Sequence, residues 1–154
     1  MKTRNDYILA SSKTAITRKA PSVPMRFLAK EGLLIGELLD YGCGKGFDAD
    51  NYSAHRFDPV HCDNSTNKAS VDSGLKYDTI FCNYVLNTLP KQFDDEIISN
   101  IKRLLKKGGK AYISVRRDKF TEGWNCKGTF QRVVKIDLDS LKKTSSYEIY
   151  TFTK

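Results

Sequence analysis

The segment Leu38-Leu39-Asp40-Tyr41-Gly42-Cys43-Gly44-Lys45-Gly46 constrains this chain more than any other. Apolar residues (Leu33, Leu34, Ile35, Leu38, Leu39) run into an acid and then a Gly-x-Gly-x-Gly loop. This is the pattern of a buried strand turning sharply toward a helix. Glycines at such a turn let the backbone take angles closed to other residues and let a ligand approach main-chain atoms with no Cβ in the way. A nucleotide site suits the pattern; a plain tight turn is the simpler alternative.

Nicotinamide and flavin sites ask for Gly-x-Gly-x-x-Gly, with the third glycine packing helix against strand. Phe47 stands at that third place, which disfavours a dinucleotide-dependent oxidoreductase. The spacing instead resembles the first motif of the class I S-adenosylmethionine-dependent methyltransferases: hydrophobic strand, acid, one residue, then Gly-x-Gly-x-Gly. The resemblance implies that Asp40 receives the ammonium of the cofactor's methionine arm. It also implies that the loop around Tyr41, Gly42, Cys43, Gly44 and Gly46 lines the methionine and ribose.

At 154 residues the chain is long enough for one domain with a real core and short for an enzyme with a separate substrate domain. No apolar run approaches a membrane span, and Met1 to Asp6 leads into a polar stretch with no apolar signal region. Four cysteines, at 43, 62, 82 and 126, form no Cys-x-x-Cys pair. Reduced cytoplasmic thiols, no metal site and no membrane partner are therefore the expectation. Nothing in the residues specifies an oligomeric state.

The net charge of +8 is concentrated at the start, where residues 1–30 hold seven basic side chains against Asp6 alone. Residues 1–24, ending at Pro21 and Pro24, read as a basic arm, and 25–154 as a single domain. Such an arm suits a nucleic acid or another polyanion, with Arg18 and Lys19 as contacts, or it is a solvated tail. A non-enzymatic nucleic-acid-binding module on the same scaffold is the competing function.

Along the domain, Met25–Leu34 has helical spacing closed by Gly32, and a brief helix follows the glycine loop at 47–54. His55-Arg56-Phe57-Asp58-Pro59 reads as the end of a second strand. Asp58 lies sixteen residues after Gly42, where an acid at a strand tip binds both ribose hydroxyls; Asp58 and Pro59 join the cofactor candidates, against a bland Asp-Pro turn. Residues 60–76 leave little room for the helix and third strand normal to the superfamily, and Asp72 is their weak adenine-side candidate. Either histidine, His55 or His61, reads as structural sooner than as a base.

Tyr77–Leu86 is a clear strand, and its continuation into Asn87-Thr88-Leu89-Pro90 resembles the superfamily's fourth motif. Asn83, Tyr84 and Asn87 are the candidates for positioning the acceptor, and Asn83 also for the cofactor. The Asn/Asp-Pro-Pro-aromatic pattern of adenine and cytosine amino-methyltransferases is absent. Phe93–Lys107 reads as an amphipathic helix with acids first and bases last, stopped by Gly108-Gly109, before a strand from Lys110. Arg116 and Arg117 leave that strand on the ligand side as substrate-binding candidates. Thr129–Ile136 and Tyr147–Phe152 alternate as two terminal strands.

The expectation is a compact α/β, Rossmann-like fold with a mostly parallel twisted sheet and a C-terminal antiparallel strand, binding S-adenosylmethionine and transferring its methyl group to an unidentified acceptor. A looser likeness, through Thr14–Lys19, the glycine loop and Asn83–Asn87, runs to methyltransferases associated with bacterial DNA phosphorothioation.

Overall fold

The computed structural model describes residues 1–58, 71–118 and 121–154. Among the described residues, the helices α1 (Arg4–Ser12), α2 (Val23–Lys30), α3 (Phe47–Asn51) and α4 (Asp94–Leu104) accompany eight strands. These are β1 (Leu38–Tyr41), β2 (His55–Phe57), β3 (Tyr77–Asn83), β4 (Leu105–Arg116), β5 (Gly123–Trp124), β6 (Phe130–Gln131), β7 (Asp139–Lys143) and β8 (Tyr147–Thr153). Six of them form one sheet in the order β2-β1-β3-β4-β8-β7, and β5 pairs with β6 alone. The first four are parallel neighbours, while β8 runs antiparallel to both β4 and β7.

Both faces of the sheet are covered, so the strands read as nearly continuous apolar runs whose successive residues enter opposite cores. Ile80 and Cys82 pack with Ile97, Ile101 and Leu104 of α4, while Phe81 between them packs with Met25 and Leu28 of α2. Ala111, Ile113 and Val115 likewise join the α4 side and Tyr112 the α2 side. Each fully buried Leu, Ile or Phe contributes roughly 1.5–3 kcal/mol relative to exposure, so these two layers hold the sheet in register.

Four sequence expectations need correction. The helix expected to Lys107 ends at Leu104, because Leu105 is buried and already opposite Tyr77 in the sheet. Gly108-Gly109 therefore does not stop a helix but lies within β4, where the register shifts between Tyr77 and Thr79. At Gly109 a Cβ would stand 3.0 Å from the Tyr77 carbonyl oxygen and 3.1 Å from that of Asp78, a close backbone approach only glycine tolerates. The strand expected over Thr129–Ile136 is reduced to Phe130–Gln131, outside the main sheet. The strand expected over Tyr77–Leu86 ends at Asn83, where Tyr84 takes a φ of +60°. The strand expected over Tyr147–Phe152 is present as β8, and its partner is β7, an exposed edge held by that ladder.

Residues 1–24, expected as an arm, are folded onto the domain. Thr3 caps α1 reciprocally with Asp6, and Ala10 is buried. Tyr7 packs against Phe93, Trp124 and Phe130 with ring centroids 6.4, 5.1 and 5.5 Å away. Arg4 pairs with Glu96 at 2.6 Å and lies over the Phe93 ring, and Ser11 Oγ meets Thr88 Oγ1 at 2.6 Å.

Candidate functional site

The ends of β1, β2, β3 and β4 converge on a cavity of about 630 Å³, lined there by Tyr41, Phe57, Asn83 and Arg116. Its position outside the carboxyl ends of parallel strands is where open α/β sheets bind ligands, and its size is that of a small-molecule site.

The glycine loop forms the floor. Its amides are directed by β2: Gly42 and Cys43 donate to the Phe57 carbonyl at 2.6 and 3.1 Å. Gly44 N–H donates to Asp58 Oδ2 at 3.0 Å, which fastens the second strand's acid to the loop. The φ of Gly42 is +88°, and a Cβ there would fall 2.3 Å from Val85 Cγ2. The loop can therefore lie this close to the end of β3 only with glycine at 42.

Three carboxylates meet at this floor. Asp40 is buried at 3% exposure; burial first, then the charges of Asp48 and Asp58, push its carboxyl well above the usual range, with Arg18 and Arg56 opposing. Asp48 accepts the backbone N–H of Ser22 at 2.8 Å. The cluster favours a cation placed against it.

At the end of β3, Asn83 lines the cavity while both its amide atoms are sealed from solvent with no hydrogen-bond partner among the described residues. A buried, unpaired amide costs about 1–3 kcal/mol per group and calls for an explanation in function. Tyr84 follows with φ +60°, an uncommon conformation for a bulky residue. Its N–H donates to the Ser114 carbonyl at 2.8 Å, which holds the turn. Burial pushes the Tyr84 phenol up to about 12, so it stays a hydroxyl donor at neutral pH.

The roof comes from α1 and the segment after it. Ile8, Ser11, Ala15, Ile16 and Arg18 line the cavity. Ala15 Cβ lies 3.2 Å from where a Gly44 Cβ would stand, and Lys45 Nζ donates to Thr17 Oγ1 at 3.1 Å, so this segment crosses directly over the loop.

Of the residues singled out from sequence, Asp40, Tyr41, Gly42, Cys43, Gly44, Asp58, Asn83, Tyr84, Arg18 and Arg116 line the cavity together. Gly46, Asn87, Lys19 and Arg117 are not among its lining residues, and Pro59, His61 and Cys62 lie outside the described residues. Asn87 is 1% exposed and engaged with the backbone. Its Nδ2 donates to the carbonyls of Arg132 (3.0 Å) and Arg116 (3.4 Å), and its Oδ1 accepts from Arg116 N at 2.7 Å. That arrangement makes Asn87 a staple between the turn and β4. Arg117 is bonded to the Thr144 carbonyl, and Arg116 forms a two-point pair with Asp118 at 2.9 and 2.7 Å.

Sequence reasoning missed Asp48, Asn100, Gln131 and, from α1, Arg4, Ile8, Ser11 and Ser12 as lining residues. The signal for α1 was present as Thr3-x-x-Asp6, a capping box ahead of Tyr7 and Ile8.

The family described as "Methyltransferase domain" matches residues 13–143. The chain belongs to the methyltransferase domain family. The sheet order, with four parallel strands and an antiparallel β8, agrees with the Rossmann-like fold expected from its motifs. No curated protein matches this methyltransferase domain in sequence. Among solved structures it is similar in fold to the 1,6-didemethyltoxoflavin-N1-methyltransferase of Burkholderia thailandensis, crystallised with 1,6-didemethyltoxoflavin and S-adenosylhomocysteine. That likeness has a TM-score of 0.66 at 16% identity and covers 100% of this chain and 91% of that one. TehB from Haemophilus influenzae gives 0.59 at 16% identity, over 97% and 67% of the two chains. A structure from echinomycin biosynthesis, concerned with converting a disulfide bond into a thioacetal group, gives 0.50 at 22% identity over 62% of this chain. The methyltransferase domain spans 48% of that chain.

Proposed function

We propose that this domain binds S-adenosylmethionine across the ends of β1 and β3 and transfers its methyl group to an acceptor held under α1. The observation that carries the reading is the buried Asp40 at the floor of the cavity, flanked by Asp48 and Asp58 and facing Arg18. Acids and an arginine on one wall match a ligand end that bears both an ammonium and a carboxylate. The residues present fit the cofactor on two further counts. Glycine at 42 and 44 lets the loop pack against Val85 and Ala15 and line the cavity with main chain, and the Asn83 amide lacks a partner among the described residues.

When bound, S-adenosylmethionine supplies an electrophilic methyl on a sulfonium, already a good leaving group. Asp40 would hold the ammonium, Arg18 the carboxylate and Asp58 the ribose hydroxyls, each fixed by the loop or by the segment crossing it. Asn83 would turn its sealed amide toward the methyl end, and Tyr84 would orient the acceptor as a hydroxyl donor. Alignment and exclusion of water by α1 then do most of the chemical work, without a covalent nucleophile.

A nucleic-acid acceptor, expected from the charge of residues 1–24, draws less support. Lys2 lies over Trp124 at 4.8 Å, Arg4 is paired to Glu96, and Lys19 does not line the cavity. Calorimetry with S-adenosylhomocysteine on the native chain and on Asp58→Ala tests the reading: micromolar-scale binding, weakened at least tenfold by the substitution, is expected. No binding by the native chain would overturn it.

A further inference from the structure

Asp48 is a carboxylate at the cavity floor that the glycine-loop motif does not include. Gly46, at φ +83°, turns the chain out of the loop into α3, and the first turn of that helix brings Asp48 back toward Asp40. Asp48 is 8% exposed. Its Oδ1 accepts the Ser22 N–H at 2.8 Å, a bond that anchors the segment running from Arg18 to α2, while its Oδ2 bonds to none of the described residues. Neither oxygen of Asp40 has a hydrogen-bond partner among the described residues. Unlike the Asn83 amide, these unbonded carboxylate oxygens are not sealed, and the space they open on is the cavity that both residues line.

Two carboxylates buried side by side repel each other, and the charge of Asp48 is among the causes that raise the Asp40 carboxyl. The basic groups nearby leave the pair short of countercharge. Arg56 is bonded to Asp50 and lies against Gly46, and Lys45 reaches Thr17 instead. Among the described residues no group of three or more His, Cys, Asp or Glu side chains is placed to hold a metal ion. A primary ammonium suits the gap: it brings one positive charge and three N–H donors, enough to bond an Asp40 oxygen and Asp48 Oδ2 at once.

We propose that Asp48 is a second partner of the ammonium of S-adenosylmethionine, sharing it with Asp40 through Oδ2 while Oδ1 holds the Ser22 segment. This rests on the cofactor reading above. One side chain then fixes both halves of the ligand's amino-acid end. It bonds the ammonium directly, and through Ser22 it steadies the segment that brings Arg18 to the carboxylate.

The test is calorimetry at pH 8 on the full chain and on Asp48→Asn, an isostere whose amide oxygen still accepts the Ser22 N–H. The probes are S-adenosylhomocysteine and 5′-methylthioadenosine, which shares its nucleoside and thioether but carries neither the ammonium nor the carboxylate. Asp48→Asn should bind S-adenosylhomocysteine about tenfold more weakly than the native chain does, and 5′-methylthioadenosine with unchanged affinity. The unchanged probe reports that the variant is folded. Loss of a negative charge would strengthen a contact to the ligand's carboxylate, so a weakening is assigned to the ammonium. Unchanged S-adenosylhomocysteine affinity, or an equal loss for both probes in a variant that melts within a few degrees of the native chain, overturns the proposal. Where Asp48→Asn does not melt cooperatively, Asp48→Ala goes through the same comparison with the same expected result. Failure of the native chain to bind S-adenosylhomocysteine is a separate result, which overturns the cofactor reading and this proposal with it.

Discussion

Gly42 and Val85 share one space: the hydrogen of the glycine faces Val85, whose Cγ2 lies 2.3 Å from the point a Cβ would occupy. Through this contact the loop after β1 and the turn after β3 close on each other, and the floor and far wall of the cavity become one unit. Gly42→Ala must push Val85 aside and place alanine at φ +88°. A loss of about 2–4 kcal/mol in stability, with S-adenosylhomocysteine binding at least tenfold weaker, is expected. Gly74→Ala supplies the control. It also has positive φ, at +79°, but nothing within 4 Å of its Cβ, so only about 1 kcal/mol and no binding should be lost. Urea unfolding and calorimetry on the pair decide it.

The buried Asp40 gives ligand binding a pH dependence of known sign. Its carboxyl titrates above the ordinary range in the free protein, because burial and the neighbouring acids oppose its charge. The folded state thus holds this proton more tightly than the unfolded chain, so Asp40's contribution to stability falls as pH rises from the unfolded toward the folded value. A cationic ligand favours the ionised form and expels the proton. Affinity for S-adenosylhomocysteine should rise up to tenfold per pH unit below the free-state value and level off above it. Calorimetry in two buffers of different ionisation heat should register the released proton, and Asp40→Asn should abolish both effects while remaining folded.

Arg132 and Asp94 are 4% and 6% exposed and bonded to each other. Arg132→Met leaves the acid buried without its partner and should cost about 3–5 kcal/mol. Adding Asp94→Leu should recover most of that loss, since a buried ion pair is about as stable as an apolar pair of similar size. Denaturant midpoints of the single and double variants measure the difference.

Removing residues 1–17 strips the roof and uncovers Phe93 and Phe130, both buried in the folded chain. The melting temperature should drop by roughly 5 °C. S-adenosylhomocysteine affinity should fall more than tenfold, because Ala15 crosses the glycine loop and Ile8 and Ser11 close the cavity. Retained affinity would return these residues to the status of a tail.

What the sequence made legible was the part written in local pattern. Leu38 to Gly46 could only be a strand entering a tight loop, and Tyr77–Leu86 read as a buried strand, which the structure ends three residues earlier, at Asn83. The rest depended on contacts across the chain. Asp139-Ser140-Leu141-Lys142-Lys143 has no alternation of its own and is a strand because β8 offers it a ladder. Gly108-Gly109 looks like a helix stop, yet Leu105 finds a better place in the core opposite Tyr77. Lys2 and Arg4 read as charges for a polyanion until Trp124, Phe93 and Glu96 are seen beside them. Gln131 carries no local signal at all.

The docking of α1 also sets an order of events. Its partners, Thr88, Phe93, Trp124 and Phe130, lie roughly eighty or more residues away along the chain, so their contacts close a long loop for a modest burial centred on Tyr7 and Ala10. The first helix in the sequence is therefore expected to be the last piece to join the native structure and the first to leave it. Amide protons of α1 should exchange through local opening, well before those of β3 and β4 at the centre of the sheet. Each such opening would uncover the cavity and give ligands a route in and out beneath α1.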